Sequence, residues 1–192
     1  MNLREFRNGV EQCPAECFEH HFFSTKLRPA FDDPEYPNDF AAWASHGLHD
    51  RPLAERLGTL NPLEFADADS LRSAMLDILE EDLNRREHLA WAKRAHEFIF
   101  LRSQMVVYDT GLSPDTPEQL GQLIPQLSTG SVYYHFIQAR RRFKGERDDY
   151  GAWLDSFGED FGPLAERLSQ IDYYFCSLSE LRSRITNAFL NS

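Results

Sequence analysis

The hexapeptide Pro-Leu-Ala-Glu-Arg-Leu occurs twice in the chain, at residues 52–57 and 163–168. An identity of that length within 192 residues points to internal duplication, and the match extends in both directions. Upstream, NDFAAW (38–43) aligns with DDYGAW (148–153), setting Asp39 against Asp149, Phe40 against Tyr150 and Trp43 against Trp153. Farther upstream, CFEHHFF (17–23) aligns with SVYYHFI (131–137) and sets His21 against His135. Downstream, SLRSAMLDIL (70–79) aligns with ELRSRITNAF (180–189), pairing Leu71 with Leu181 and Arg72 with Arg182. Phe6, Val10 and Cys13 then fall on Leu120, Ile124 and Leu127. The chain reads as two tandem copies of one small module with a pseudo-twofold relation.

Each copy reads as helices. Val132, Phe136, Ala139 and Phe143 form one apolar stripe at helical period, as do Leu71, Met75, Ile78 and Leu79. Asn38-Asp39 and Asp148-Asp149 precede the tryptophan helices as N-caps, and Asp69 or Ser70 can cap the Leu71 helix. Pro52 and Pro163 suit a first helical turn, where no N–H bond is lost. The first copy is expected to hold helices over 2–13, 16–27, 38–47, 52–59 and 68–84. The second is expected to hold them over 117–127, 131–143, 148–157, 162–170 and 177–190.

Between the copies the character changes. Residues 84–96 are expected to prolong the last helix of the first copy. The stretch EFIFLRSQMVVYDTG then alternates Phe98/Phe100 and Met105/Val107, so one short β-hairpin or an extended ribbon is expected near 97–109. DTGLSPDTP (109–117) is rich in turn formers. The expected class is mainly α, with a first repeat over 1–87, a connecting helix and extended segment over 88–116, and a second repeat over 117–192.

Composition narrows the function classes. A net charge of −11 speaks against a nucleic-acid surface, which needs lysine and arginine to neutralise phosphates. The basic run Arg140-Arg141-Arg142 reads as a solvated helix edge, since three consecutive residues point in different directions. Cys13, Cys17 and Cys176 are an odd number without a CxxC motif, which fits a reducing compartment and no disulfide framework. The N-terminus has no apolar leader core and the chain no run of 18 apolar residues, so a cytoplasmic protein without membrane insertion is expected.

The PNDFAAW and LAERL motifs, the leucine–arginine helix and STGSVYYHF together resemble an uncharacterised bacterial and archaeal helical family, a domain of unknown function. Its pattern is S-I-x-Y-H, P-N-D-F-A-x-W and L-A-E-R-L, and the resemblance covers nearly the whole chain, twice. It implies a compact helical module and no assigned activity. The first copy departs from the pattern at Cys17-Phe18-Glu19-His20, where the second has serine and tyrosines.

Several paired positions could carry function. His21 and His135 sit on helices otherwise rich in Phe, Tyr and Val, where an unpaired polar ring is costly, so each needs a partner. Asp39 or Glu55 can serve the first, and Asp149 or Glu166 the second. The preferred reading is a histidine that ties helices together; the sharper one is a ligand-binding or acid–base group. Trp43 and Trp153 read as core anchors. Glu55-Arg56 and Glu166-Arg167, with Arg72 and Arg182, suggest a semi-buried ionic network or an anion site. His20, His46 and His49, with Glu19, make a conceivable zinc set, but the second copy has nothing equivalent, so no metal is expected. Cys17 and His21, one turn apart, form a weak nucleophile pair whose counterpart carries Ser131.

No GxGxxG, P-loop, GxSxG or HExxH motif occurs, and no cofactor is expected. The sequence therefore favours a non-catalytic binding protein that docks a protein partner. One alternative is an enzyme or small-molecule sensor with a pocket between the repeats, lined by His21, His135, Tyr133, Tyr134 and Tyr173. The other is a structural subunit of a larger assembly.

Overall fold

The computed structural model describes residues 1–27, 35–85, 91–92, 96–142 and 147–190. The fold is mainly α, and among the described residues there is no strand. Two compact units divide the chain, Met1–Val106 and Val107–Ser192.

The first unit holds α1 (Leu3–Gln12), α2 (Ala15–Leu27), α3 (Asp39–His46), α4 (Arg51–Gly58) and α5 (Ala68–Arg85). Local chemistry starts each helix. Asn2 and Glu5 form a capping box, each side chain accepting the other's backbone N–H, at 2.8 and 2.9 Å. Asn38 caps α3 by accepting the Ala41 N–H at 2.9 Å, and Asp50 caps α4 through the Leu53 N–H at 3.1 Å. Between α3 and α4 the chain turns through His49, whose φ of 56° is left-handed.

Leu3, Phe6 and Val10 line one face of α1 and are fully buried with Phe18, Phe22, Phe40 and Met75. Trp43 joins them, its ring 4.3 Å from that of Phe6. Arg72 of α5 donates to the carbonyls of Val10 and Cys13, at 2.5 and 2.7 Å, and so closes the C-terminal end of α1.

The expected prolongation of α5 over 84–96 is not what forms at its described positions. α5 is described to Arg85, and Trp91 makes an antiparallel bridge with Asn2, with Ala92 N–H donating to the Met1 carbonyl at 2.9 Å. Residues 86–90 and 93–95 lie outside the described set. Residues 96–106 then belong to no helix, turn or strand.

The second unit holds α6 (Pro117–Leu123), α7 (Thr129–Val132), α8 (Ala139–Arg142), α9 (Asp149–Leu154), α10 (Gly162–Ser169) and α11 (Leu178–Leu190). A π-helical turn, Tyr133–Gln138, links α7 to α8 where an unbroken α-helix was expected. Phe143, the expected end of that apolar stripe, lies outside the described residues. Asp148 caps α9 by accepting the Gly151 N–H at 2.8 Å. Arg182 donates to the Leu127 carbonyl at 2.7 Å, as Arg72 does to the carbonyls that end α1.

Arg140 corrects the reading of a solvated basic edge. It is buried, because position 140 lies one turn beyond Phe136 and its guanidinium stacks 4.1 Å over that ring. Its Nη2 donates to Asp148 Oδ2 at 2.9 Å and to the Leu168 carbonyl at 2.6 Å, and Nη1 donates to the Ser169 carbonyl at 3.2 Å. The first unit solves the same problem more simply. Asn38, aligned with Asp148, caps its helix with the amide oxygen and donates its amide N–H to the Leu57 carbonyl at 3.1 Å. A carboxylate cannot donate, so the second unit adds a guanidinium between Asp148 and the same carbonyl position.

Arg140→Met should therefore cost about 3–5 kcal/mol, since it strands a buried carboxylate. Asp148→Asn in the Arg140→Met background should recover a substantial part, because the amide can donate to the Leu168 carbonyl directly. Denaturant melts of the two variants check this, and equal stabilities would sink the account.

Candidate functional site

His21 is held by three elements of the first unit. It projects from α2, and its Nδ1 lies 2.8 Å from Oδ2 of Asp39, the first residue of α3. The backbone N–H of Leu101, eighty residues along the chain, donates to Nε2 at 2.9 Å. That bond decides the tautomer. Nε2 accepts, so the proton sits on Nδ1 and is donated to Asp39. Ser24 Oγ donates to the same Asp39 oxygen at 2.5 Å, not to the imidazole, so the three do not form a nucleophile relay. Both ring nitrogens are used and the side chain is 2% exposed, which leaves His21 no free lone pair for chemistry.

The segment that delivers Leu101 acts as a strap. Trp43 Nε1–H donates to the His96 carbonyl at 2.7 Å, fixing one end. Phe98, 8% exposed, enters between them and stacks on Phe40 at 5.3 Å and against His21 at 4.7 Å. Phe100 lies over Gly9, where a Cβ would stand 2.4 Å from its ring, so only glycine lets the strap lie this close. Burying one phenylalanine is worth about 1.5–3 kcal/mol. Each bond adds about 0.5–1.5 kcal/mol net, so the two bonds together are comparable to the ring and also set the strap's register.

The second unit carries the same receiving groups without a strap. His135 Nδ1 lies 2.8 Å from Asp149 Oδ2, and Asp149 follows its capping residue as Asp39 follows Asn38. Here the histidine side chain is 42% exposed. No described residue bonds to His135 Nε2 or to the indole N–H of Trp153. Trp153 is half-buried, 4.6 Å from Phe157, because nothing described lies across it as Phe98 lies across Trp43. Tyr150 replaces Phe40 beneath the histidine, 5.9 Å away, and its buried hydroxyl has no hydrogen-bond partner among the described residues. Burial pushes its pKa far above the ordinary tyrosine range, and the charges of Asp148 and Asp149 push the same way. His135 itself stands on the π turn, a geometry frequent at functional sites.

The other candidates are placed as follows. Glu55 and Glu166 are exposed and bond to neither histidine. Arg72 and Arg182 satisfy backbone carbonyls, not an ionic network with those glutamates. Arg56 instead pairs with Glu81, and Arg167 Nη2 donates to the Ala188 carbonyl at 3.3 Å. Tyr133 and Tyr173 are buried in the second unit, where burial pushes the Tyr173 phenol up to about 12. Tyr134 sits edge-on to His135 at 4.9 Å. His20 packs edge-on to His21, His46 and His49 are exposed, and no cluster of three metal-ligating side chains occurs among the described residues. Cys17 is buried, its thiol pushed up to about 11 chiefly by burial, which disfavours the nucleophilic thiolate.

Two functional features escaped sequence reasoning. The strap left a signal in the aromatic alternation Phe98/Phe100, read as a ribbon but not as a cover for His21. The open second site left none, because exposure depends on what lies across a residue.

The family profile of DUF5752, a family of unknown function, matches residues 1–190, and the chain belongs to that family. No curated protein matches the sequence at a significant level. Among solved structures, that of OrfY from Thermoproteus tenax is similar at 28% identity and a TM-score of 0.80, covering 99% of this chain and 86% of that one.

His21→Phe should cost about 1–3 kcal/mol, because it leaves the Asp39 carboxylate short of a donor and the Leu101 N–H without an acceptor. His135→Phe should cost less than about 1 kcal/mol, since water already reaches that ring. Hydrogen exchange should show the Leu101 amide opening faster in His21→Phe alone; an unchanged rate would remove the strap's anchor from the picture.

Proposed function

We propose that this member of a family of unknown function is a non-catalytic binding module that docks a protein partner. The face formed by His135, Asp149 and Trp153 would receive an extended peptide carrying an aromatic or apolar side chain. One observation carries the reading: the first unit holds its own Phe98 strap with the groups that the second unit leaves open. The reading treats the two units as copies of one module. Supporting that are the aligned His–Asp pairs, the arginines on the carbonyls after the first helix of each unit, and the caps before Asp39 and Asp149. A peptide laid on the second unit in the same way would give its N–H to His135 Nε2 and accept from Trp153, using extended backbone for affinity and one side-chain slot for selectivity.

A net charge of −11 supports a protein rather than a nucleic-acid partner. Free thiols at Cys13, Cys17 and Cys176 support a reducing, cytoplasmic setting. No described helix is long and apolar enough to cross a membrane.

A catalytic reading has one observation in its favour: a His–Asp pair with an open Nε2 is how general bases are oriented. Against it, no nucleophile or second acid bonds to His135 among the described residues, and two shallow depressions lie in the first unit. One, of about 400 Å³, is bounded by Cys13, Cys17, Phe100 and Arg102. The other, of about 340 Å³, lies beside the filled His21 site.

The test is titration of the full chain with a peptide of residues 96–101, His-Glu-Phe-Ile-Phe-Leu, read by tryptophan fluorescence and His135 ring shifts. Saturable binding is expected, weakened more than about tenfold when the peptide's first phenylalanine becomes alanine and lost in Trp153→Ala, one decade corresponding to about 1.4 kcal/mol. A peptide that leaves His135 unmoved would overturn the docking reading.

A further inference from the structure

We infer that the second unit's open site is filled by residues 104–109 of another copy of this chain, so that the protein self-associates through it. The inference rests on the docking reading above and names its partner.

The occupant is visible in the chain. Beyond the strap the backbone joins no helix, turn or ladder as far as Thr110, and its apolar side chains point to water. Val106 is 65%, Val107 55% and Tyr108 80% exposed, against 8% for Phe98 a few residues earlier. An extended, unpaired apolar segment is a template for another chain. Within each unit taken by itself no described side chain covers Val106, Val107 or Tyr108, which leaves them available to a second copy.

The register also fits. In the first unit the receiving groups bind the carbonyl two residues before Phe98 and the N–H three residues after it, and Phe100 lies on the same side as Phe98. Val106 and Tyr108 repeat the alternate-residue pair. In that register the Gln104 carbonyl would meet the Trp153 indole N–H, and the Asp109 N–H would meet His135 Nε2. Both backbone groups lack a partner among the described residues. Shifting by two residues, to put Tyr108 in the place of Phe98, would require the Gly111 N–H, which already donates to Asp109 Oδ1 at 2.8 Å. The first register is the one the backbone leaves free.

Charge points the same way. Arg102 is the only cation between Ile99 and Tyr108, it is exposed, and it has no ion-pair partner among the described residues. Beyond Trp153, Glu159 and Asp160 are exposed and likewise unpaired. An arriving segment led by Arg102 would bring a cation to a unit with exposed, unpaired carboxylates, which offsets part of the repulsion between two chains of net charge −11. Each copy would offer one segment and one site, which allows closed two-fold exchange.

Sedimentation of the full chain over a hundredfold concentration range tests this. A dimer is expected that dissociates at least tenfold more readily in Val106→Asp and Tyr108→Asp, whose side chains are exposed and whose folding should be unchanged. The same loss is expected in His135→Gln on the receiving side. Mixing Tyr108→Asp with His135→Gln should restore a heterodimer through the one intact pairing. A protein that stays monomeric throughout, or a dimer indifferent to both classes of variant, overturns the inference. The peptide titration keeps the two readings apart. A monomer that still binds the 96–101 peptide sinks self-association and leaves docking standing, whereas a monomer that ignores the peptide removes both.

Discussion

A neutral imidazole offers one donor and one acceptor on opposite sides of a rigid ring, and the first unit spends both. His21 gives its proton to Asp39 at the start of α3 and takes one from Leu101, so one side chain joins two helices to a segment far along the chain. The aromatic core depends on that junction. Phe98 sits in place because its flanking backbone is pinned at His96 and Leu101, and its ring then completes the cluster of Phe6, Phe40 and Trp43. Were the imidazole to carry a second proton, Nε2 would turn from acceptor to donor and face an N–H. The arrangement is built for the neutral ring.

The second unit shows the same junction with one arm empty. Its histidine meets its aspartate at the same distance, yet the opposite nitrogen and the tryptophan indole open outward. Tyr150, where the first unit has Phe40, adds a buried hydroxyl without a partner, which costs more than a phenyl ring would. Water reaches the His135 ring, so the Tyr150 hydroxyl is the group of this face that the described residues leave buried and unsatisfied.

Buried polar links elsewhere obey the same accounting. Asn38 both accepts and donates, so it closes the join between its helix and the Leu57 carbonyl alone. Asp148 cannot, and Arg140 makes up the missing donors while stacking on Phe136. The isolated charge run Arg140-Arg141-Arg142 concealed this, since periodicity says which way a residue points on its own helix and nothing about a carboxylate packed against it.

The sequence by itself determined what rests on residues within about one helical turn: the capping Asn38 and Asp148, the apolar stripes, and the proline-led helices. It also picked out the paired His and Asp positions, by aligning short motifs of the two halves, although the His–Asp separation is 18 residues in the first and 14 in the second. It misjudged Trp91 and Ala92, which pair with the N-terminal residues instead of continuing α5, and the π turn at Tyr133–Gln138, where helical propensity continues but the α hydrogen-bond pattern does not. Only the tertiary structure decided that Leu101 completes His21, that Arg140 serves Asp148 and Leu168, and that His135 stays open. Those outcomes depend on which backbone groups arrive from distant positions, and no local pattern of side chains records where a remote N–H or carbonyl will come to rest.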